Sequence, residues 1–403
     1  TSNSTTQKSK VNARASATPF WSEDFSGGIP AGWTNSGNPL TALWEYRPDT
    51  IISNGAKKGS YGAYTSGNNF INSLTNHNGY IIFDSDYLDN GGTPAAFGTG
   101  PAPSPHIGSV TTSAINCTGH AGVSVVFNQY FRKFSSICKV SVSNDGVFFK
   151  EYPINQNVAI NNATPKNDRI KVNISKIAGN QSTVYLRFTF DGTQQLPGTQ
   201  GGRGYYFWQL DDIALVDDVP YNNEISGNVF NSLNSNCIID STEKGLGDWM
   251  VEAIGDSLTI ISETDSNGFY SLNVPSGDFA VMPIINQLYK VVCPESPDFY
   301  PFSFPLNNTT ISSNNNFGVI STIPANTIAG YVFIDRNNNC IKDPFEKGLE
   351  GKIIQIMPGN YYLISDENGY YSYKAKEGNY SVTIISNDPD YELSCPLPLM
   401  DYS

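Results

Sequence analysis

The sequence predicts an all-β protein, with one large jelly-roll-like β-sandwich followed by two repeated β-sandwich modules. Aromatic residues make up 12% of the 403 residues and charged residues only 15%, which is typical of strands and turns rather than amphipathic helices. Many short segments alternate apolar and polar residues with the period of two of half-buried strands. A long internal repeat also divides the second half of the chain into two similar units.

The repeat begins at Ile225 and again at Ile328, so the two copies are offset by 103 residues. ISGNVFNSLNSNCIIDSTEKGL in the first copy corresponds to IAGYVFIDRNNNCIKDPFEKGL in the second. In both copies, turn sequences such as Asn-Gly and Ser-Gly separate short apolar runs, which is the pattern of a small antiparallel sandwich. We therefore predict modules at 222–320 and 325–403.

The second module is expected to be incomplete. The segment Asn316–Ile320 reads as the closing strand of the first module, and its counterpart would lie near position 420, beyond Ser403. A sandwich without that strand would expose an unpaired edge. We therefore expect the natural protein to continue past Ser403.

The larger N-terminal unit is predicted at 18–218, after a polar, disordered segment at 1–17. KVSVS, RIKVNI and VYLRFTF within it are predicted strands, and Asn144-Asp145-Gly146 is a predicted hairpin turn. The stretches 90–105 and 192–204 are long and rich in Gly and Pro. Such loops are usually either disordered or ligand-facing.

Charge and hydropathy argue against nucleic acid as a partner and against a membrane-spanning segment. The formal net charge of −13 disfavours a nucleic-acid backbone, which needs clustered Lys and Arg, and suits a surface that recruits cations. No run of about 18 apolar residues is present, so no membrane span is predicted. Thr1–Thr18 lacks the apolar region of a signal peptide and is interpreted as a mature N-terminus.

The six cysteines fall two to each predicted domain, which favours disulfides and an oxidising compartment. The predicted pairs are Cys117–Cys138, Cys237–Cys293 and Cys340–Cys395. Free thiols or zinc ligands are the alternatives, although there is no CxxC pair and only Cys117 has a nearby histidine, His120.

A twelve-residue loop from Asp335 to Glu346 carries oxygen donors at the spacing that Ca²⁺ requires. The donors stand at positions 1, 3, 5, 9 and 12, with a backbone carbonyl at position 7. Cys340 replaces the usual glycine at position 6, and a predicted strand rather than a helix precedes the loop. The predicted ligands are Asp335, Asn337, Asn339, Ile341, Asp343 and Glu346.

The first copy of this loop, from Ser232 to Glu243, lacks the carboxylate at position 1. Fewer carboxylates lower the ligand charge, so this site should bind Ca²⁺ more weakly or not at all. An Asp/Asn-rich turn that binds no ion is the alternative for both loops. The predicted ligands are Asn234, Asn236, Ile238, Asp240 and Glu243.

From Ile225 onward the chain resembles the calcium-binding B-type modules of serine-aspartate repeat surface proteins. It is also similar to the DxNxNCxxDxxExGL modules common in secreted Bacteroidota proteins. The loop with its trailing Glu-Lys-Gly-Leu carries the resemblance. It implies small Ig-like or prealbumin-like sandwiches that serve as a spacer or stalk and are stiffened by the ion.

Residues from about 20 to 217 resemble the cleaved-adhesin and MAM-like jelly-roll family. The motifs that carry this resemblance are Glu23-Asp24-Phe25 with Gly-Ile-Pro-Ala-Gly-Trp33, Trp44-Glu-Tyr, and Trp208-Gln-Leu-Asp-Asp-Ile213. It implies a structural cation between the first and last strands, held by Asp24 and Asp212, with solvated or capping carboxylates as the alternative. Trp33, Trp44 and Trp208 would line a sugar site or belong to the core.

No catalytic centre is predicted. His77, His106 and His120 are the only histidines, and HExxH, GxSxG and P-loop motifs are absent. Asp211 and Asp212 are adjacent in a predicted strand, so their side chains should point to opposite faces and could not flank one glycosidic bond. A catalytic domain elsewhere in the native chain remains compatible with these observations.

These features predict a non-catalytic adhesin-type protein, secreted or on the outer-membrane surface of a Bacteroidota cell and exported by type IX secretion. The jelly roll would contact a glycan or protein ligand, and the repeats would hold it away from the cell. The secretion or surface-anchoring machinery is a further expected partner. The alternatives are an accessory region of a secreted hydrolase and a purely structural filament. Thr50 and Ser257 fit a short O-glycosylation pattern.

Overall fold

The computed structural model describes residues 18–48, 59–65, 69–193, 196, 203–218, 221–285, 289–306, 308–322, 326–357, 361–375, 379–385, 393–394 and 400–402. Almost all of its regular structure is strand, so the predicted all-β class is confirmed. The chain divides into two compact units, and the second consists chiefly of residues from Ser321 onward. The predicted disordered segment at 1–17 lies outside the described residues.

The N-terminal sandwich contains eleven strands and two short helices among the described residues. The first elements are β1 (Trp21–Glu23), β2 (Thr34–Asn38), β3 (Glu45–Arg47), β4 (Tyr80–Phe83), α1 (Ser85–Asn90), β5 (Ile107–Thr111) and β6 (Val123–Ser135). The remaining elements are β7 (Ile137–Ser143), β8 (Lys150–Ile154), β9 (Asp168–Asn173), α2 (Ser175–Ala178), β10 (Tyr185–Asp191) and β11 (Gly204–Asp217).

Two antiparallel layers enclose the core of this sandwich. One layer runs β9-β6-β11-β4-β3, with β1 also paired to β11, and the other runs β2-β5-β10-β7-β8. Phe127 and Phe188 meet edge to face between the layers, with ring centroids 5.3 Å apart. Strand alternation explains this core, because successive residues of β6 and β10 point to opposite faces.

The first repeat adds ten strands, and most of their residues belong to the same compact unit as the N-terminal sandwich. They are β12 (Asn223–Asn231), β13 (Lys244–Gly245), β14 (Met250–Ile254), β15 (Thr259–Glu263), β16 (Phe269–Val274), β17 (Gly277–Pro283), β18 (Tyr289–Cys293), β19 (Tyr300–Phe304), β20 (Ile311–Ser312) and β21 (Phe317–Ser321). The predicted closing strand at 316–320 is confirmed as β21, which pairs in parallel with β12.

One sheet continues from the jelly roll into the first repeat. β15 pairs in parallel with β9, so β19-β17-β14-β15 extends the first layer of the jelly roll into a ten-stranded sheet. Met250 and Ile261 belong to the jelly-roll core cluster, whereas Val251 and Ala253 face the core of the repeat itself. The predicted division between 218 and 222 therefore does not separate two compact units.

The second repeat forms its own unit. Its strands are β22 (Asn326–Tyr331), β23 (Ile353–Met357), β24 (Tyr361–Ile364), β25 (Tyr370–Ala375), β26 (Tyr380–Ile385) and β27 (Met400–Tyr402). β22 pairs with β25, and the other sheet has the order β24-β23-β26-β27. Ile328, Ile356 and Ala375 are buried between the two sheets.

The disulfide predictions have mixed outcomes. Cys237 and Cys293 are bonded, with their Cα atoms 5.4 Å apart, which confirms that pair. Cys340 is disulfide-bonded, but Cys395 lies outside the described residues, so the predicted partner stays a prediction.

The predicted bond between Cys117 and Cys138 is wrong, because both are buried free cysteines. Cys138 pairs with Phe190 at one end of β10, whereas Cys117 bonds to the Gln181 carbonyl beyond the other end. Strand rise separates such positions by at least about 20 Å, far beyond disulfide reach.

Candidate functional site

An exposed group of aromatic side chains lies where β6 ends and β11 begins. This aromatic platform comprises Tyr64, Phe97, Phe134, Tyr205 and Tyr206. The rings of Tyr64 and Phe97 are nearly parallel, with centroids 5.5 Å apart, and the two side chains are 41% and 51% exposed. Tyr205 contacts both Phe97 and Phe134, at centroid distances of 5.7 and 5.5 Å. Tyr64 and Phe97 therefore face solvent, and the other three rings lie half-buried in the same cluster.

Polar groups border the platform. The Arg132 guanidinium lies 4.2 Å from the ring centroid of Tyr206, and its Nη1 donates to the Tyr64 carbonyl at 3.2 Å. The Tyr206 hydroxyl donates to the Asn161 side chain at 3.0 Å. Apolar faces with a few polar groups at their margin are typical of sites that bind small polar ligands.

Two adjacent tyrosines of the platform have strained backbones. Tyr205 and Tyr206 have φ values of 63° and 61°, in the left-handed region where a side chain costs roughly 1–2 kcal/mol per residue. An extended backbone at these two residues would relieve the strain, so the packing around them must hold the left-handed conformation in place. Such strain is concentrated at binding and catalytic sites.

Buried polar side chains of α1 hold the two loops that carry Tyr64 and Phe97. Asp86 Oδ2 accepts from the Tyr64 N–H at 2.8 Å. Asp89 accepts from the Gly98 and Ser104 N–H groups at 3.2 and 2.8 Å. Since carboxylates accept backbone N–H bonds strongly, this helix fixes the loops in one arrangement before any ligand binds.

Asp84, immediately before α1, completes this support. Its carboxylate accepts from the Ser60 hydroxyl at 2.6 Å and the Tyr61 N–H at 2.7 Å, and Arg47 lies 3.4 Å away. Burial raises the pKa of Asp84 to about 6, although the Ser60 hydrogen bond and the Arg47 charge act in the opposite direction. The Arg47 guanidinium in turn lies 4.0 Å from the centroid of the Tyr61 ring.

Trp44 and Trp208 belong to the core and do not form a sugar site. Trp44 and Trp208 are buried, and their indole N–H groups donate to the Gly108 carbonyl and to Gln129 Oε1. Trp33 is half-buried against Phe25 and Trp21. The core alternative is therefore correct for Trp44 and Trp208, whose polar atoms are satisfied inside the sandwich.

Asp24 and Asp212 lie near each other, as the resemblance implies. β1 pairs with β11 from Glu23 to Ile213, and both carboxylates bond to the 73–78 loop. Asp24 Oδ2 accepts from Asn78 Nδ2 at 3.1 Å, and Asp212 Oδ1 accepts from the Thr75 hydroxyl at 2.6 Å. The buried Oδ1 of Asn78 has no hydrogen-bond partner among the described residues, so this oxygen-rich set fits a hard cation.

Asp211 was missed as a member of this group. The β6–β11 register shifts between Asp211 and Ala214, and Asp212 has a φ of 49°. This bulge brings both carboxylates to the Thr75 hydroxyl, so the expectation that they point to opposite faces is wrong. Burial, together with the neighbouring Asp212 charge, raises the pKa of Asp211 to about 7.

The two predicted calcium loops fold in the same way. In the second repeat, Glu346 accepts from the backbone N–H groups of Arg336 and Asp343 at 2.8 and 3.1 Å. The side chains of Asn337 and Asn339 both donate to Asp343 Oδ2. Asp335 accepts from the Cys340 N–H at 2.9 Å. The Ile341 side chain is exposed.

In the first repeat, Glu243 accepts from the N–H groups of Leu233 and Asp240 at 2.8 and 3.3 Å. Asn234 donates to Asp240 Oδ2 at 3.3 Å, and Asn236 accepts from the Ile238 N–H at 2.9 Å. The residue at position 12 thus closes both loops, and the side chains at positions 3 and 9 meet in both.

Within the described parts of the chain, no three His, Cys, Asp or Glu side chains are arranged to enclose a metal. The donors at the two loops and at Asp24 are instead mixed carboxylate, amide and hydroxyl oxygens. This donor chemistry is what Ca²⁺ prefers.

One pair resembles a nucleophile and its base. The Ser85 hydroxyl lies 2.7 Å from His106 Nε2, and His106 Nδ1 lies 2.8 Å from the Ala102 carbonyl. Both residues are fully buried, so a substrate cannot reach them in this conformation. The pair anchors the 91–106 loop to α1.

Two further predictions concern the surface. Ser257 is exposed in the turn between β14 and β15, and Thr50 lies outside the described residues. Among the described residues, no helix has the length and hydropathy needed to cross a membrane.

No protein-family profile matches the chain. Among curated proteins, it is 27% identical to colossin-B of Dictyostelium discoideum over 203 residues, covering 38% of this chain and 5% of colossin-B. It is 31% identical to colossin-A of the same organism over 141 residues, covering 32% of this chain and 1% of colossin-A. The chain therefore spans only a small fraction of these relatives.

Among solved structures, the chain is similar to the K1 cleaved adhesin domain of Lys-gingipain from Porphyromonas gingivalis, at 15% identity and a TM-score of 0.29, over 49% of this chain and 98% of that domain. TmCBM61 in complex with β-1,4-galactotriose matches at 12% identity and a TM-score of 0.26, over 48% and 94%. The shaft pilin SpaA from Lactobacillus rhamnosus GG matches at 9% identity and a TM-score of 0.24, over 46% and 94%. None of these TM-scores reaches 0.5, so the likenesses do not assign a function to this chain.

Proposed function

We propose that this chain is a non-catalytic, adhesin-type binding protein whose jelly roll binds carbohydrate at the aromatic platform. The exposed Tyr64–Phe97 pair is the observation that carries the proposal. Two large aromatic side chains on separate loops lie parallel in solvent, where water contact is unfavourable for their faces. A sugar ring has an apolar C–H face that would cover them.

The support beneath the platform favours binding rather than accidental exposure. Carboxylates of α1 preorganise both loops, so little loop entropy would be lost when a ligand binds. Tyr205 and Tyr206 keep a strained backbone in contact with the same surface. Arg132 places N–H donors at the margin, where hydroxyl oxygens of a sugar could accept.

Binding of the 403-residue chain to a glycan array, followed by calorimetry with the strongest hit, tests this proposal. Phe97→Ala with Tyr64→Ala should weaken binding at least about tenfold, a loss of about 1.4 kcal/mol. Phe148→Ala is the matched control, because Phe148 is 80% exposed at a hairpin tip outside the platform. Absence of any glycan hit, or equal losses in both variants, would contradict the assignment.

We also propose that the repeat loops bind Ca²⁺ and stiffen the modules as a stalk. The second loop offers three carboxylates, Asp335, Asp343 and Glu346, and the first loop offers only Asp240 and Glu243. The asparagine amides now donate to the position-9 carboxylate. To bind Ca²⁺ they would have to flip so that their oxygens face the ion that this carboxylate also ligates. The higher carboxylate count favours tighter binding at the second loop.

Calcium titration by calorimetry, with unfolding followed after chelation, tests the stalk proposal. A ligand that binds only the native state raises its stability, so chelation should lower the unfolding temperature. Asp335→Ala should remove more of this effect than Asn234→Ala. No calcium effect, or the reverse order of the two variants, would contradict it.

A secreted or cell-surface location belongs to the same proposal. The Cys237–Cys293 disulfide supports it, because such bonds persist in oxidising compartments. Origin in a Bacteroidota cell and export by type IX secretion are supported only by the resemblance of the loop motifs. Peptide mapping of the natural protein without reduction would detect this bond if the protein is exported.

A further inference from the structure

The two repeats present the same sheet face to different surroundings. β14 and β23 occupy equivalent positions, 103 residues apart, beginning at Met250 and Ile353. Met250 pairs with Glu263 on one side, and the Ile284 N–H donates to its carbonyl on the other. Ile353 pairs in the same manner with Ile364 and Ile385. Each repeat thus has a row of three side chains across neighbouring strands.

In the first repeat the jelly roll covers this row. Met250 is buried in the jelly-roll core, and Ile284 packs against that core. Glu263 lies 2.6 Å from Lys150 and 3.4 Å from Lys176. Nearby, Asp248 also pairs with Lys176, at 2.5 Å. The face is thus a docking surface in one of the two copies.

In the second repeat the equivalent row is exposed. Ile353, Ile364 and Ile385 are 43%, 72% and 42% exposed, and Met357 on the same face is 38% exposed. The opposite face of β23 already fills the module's core with Ile354 and Ile356, both buried. The exposed row is therefore additional to the core, and folding of the module alone does not explain its apolar character.

The acidic residues that meet the jelly roll are missing from the second repeat. Ile364 stands at the position of Glu263, and Gly351 stands at the position of Asp248. A jelly roll that offers Lys150 and Lys176 would leave both lysines unpaired against this face. The face therefore fits a partner surface that is apolar and uncharged.

We propose that the row Ile364–Ile353–Ile385, together with Met357, is a self-association surface through which two copies of this chain form a symmetric dimer. In a two-fold dimer the same patch meets itself, so an uncharged apolar row automatically finds an uncharged apolar partner. The equivalent face already shows that this sheet can accept a second sandwich.

The charge of the chain favours this surface over the rest of the molecule for contact between copies. At a net charge of −13, two copies repel each other wherever acidic residues approach. A row with no ionisable side chain avoids this repulsion at the point of contact. Added salt screens the remaining repulsion, so dimerisation should strengthen as salt rises, opposite to an association held by ion pairs.

Sedimentation velocity over a concentration series tests the proposal. We expect the mass of the 403-residue chain to rise from 44.0 kDa to a plateau at twice that value. Ile364→Glu, which introduces the residue type of the first repeat, should raise the dissociation constant at least about tenfold because it buries a charge. Phe148→Glu, at an equally exposed apolar site of the jelly roll, should dimerise like the parent chain.

A second variant keeps the test independent of folding defects in Ile364→Glu. Ile353 lies at the centre of the row, so Ile353→Cys should form an intermolecular disulfide on mild oxidation, whereas Phe148→Cys should not. A parent chain that stays monomeric at every concentration would overturn the proposal. Equal weakening by Ile364→Glu and Phe148→Glu, or growth past the dimer without a plateau, would also overturn it.

Discussion

The two repeats share a sequence pattern but differ in what surrounds them. The first is part of the jelly-roll unit, because β15 joins β9 in one sheet and Met250 enters the jelly-roll core. The second forms a separate unit with its corresponding isoleucine exposed. Equivalent residues therefore have different energetic roles, and the difference shows that a tandem repeat need not behave as a string of independent modules.

The largest expected effect comes from a charge at the centre of the shared face, the equivalent sheet face of the two repeats that is centred on Met250 and Ile353. Met250→Asp should destabilise the first unit by about 4 kcal/mol or more, because it places an unpaired carboxylate in a core. Ile353→Asp, at the equivalent exposed position, should change the stability of the monomer, measured at a concentration below that of self-association, by less than about 0.5 kcal/mol. Urea unfolding of both variants checks this, and similar losses would show that the two faces are equally buried.

A smaller, pH-dependent effect is expected at Glu252, whose equivalent in the second repeat is Gln355. Burial, together with the nearby Asp168 carboxylate, raises the pKa of Glu252 to about 8. Because the folded state holds the proton more tightly than the unfolded chain, stability is full below the ordinary value of 4.5 and falls as pH rises toward 8. Burial also raises the pKa of Asp168, so this residue contributes a further loss of stability as pH rises.

Glu252→Gln should remove most of the loss of stability that occurs as pH rises. The variant should be more stable than the parent by a few kcal/mol at pH 9 and about equal at pH 4. Thermal unfolding across this range measures the difference, with Gln355→Ala as the control that leaves the pH dependence unchanged. An equal shift of the unfolding temperature at every pH would mean that Glu252 does not titrate with a raised pKa.

The smallest effect concerns the ion pairs at the margin of the shared face. Glu263 is largely buried between Lys150 and Lys176, so Glu263→Ala should cost about 1–2 kcal/mol, the contribution of a charged hydrogen bond. Ile364→Ala at the equivalent exposed position should leave the stability of the monomer nearly unchanged. Denaturant titration of the two single variants tests this, and a larger loss for Ile364→Ala would contradict the contrast.

Local patterns of the sequence predicted much of the fold. Alternation of apolar residues placed strands such as β7 and β10, and Asn144-Asp145-Gly146 predicted the turn where Asp145 Oδ1 accepts from the N–H groups of Val147 and Phe148. The matched copies predicted the closing strand β21. These features depend on neighbouring residues, so one sequence contains their signal.

Long-range arrangement was much harder to predict. The pairing of β9 with β15 joins strands that the sequence assigned to different predicted domains. The apolar patterns of MVEAI and IIQIM also give no sign that only the first is covered. Counting cysteines two to a domain ignored strand distance and paired Cys117 wrongly with Cys138. Tyr64, Phe97 and Tyr205 are single aromatic residues far apart in the chain, and only the predicted ligand-facing loop at 90–105 pointed to one of them.

The continuous sheet also determines how tension would pass through the protein. A pull that separates the jelly roll from the first repeat must break the parallel β9–β15 hydrogen bonds and expose Met250 and Ile261 at the same time. A flexible linker would extend at low force, whereas this junction resists until several bonds fail together. We therefore expect the first repeat to act mechanically as part of the jelly roll, and under load it would transmit force into that sandwich instead of absorbing it.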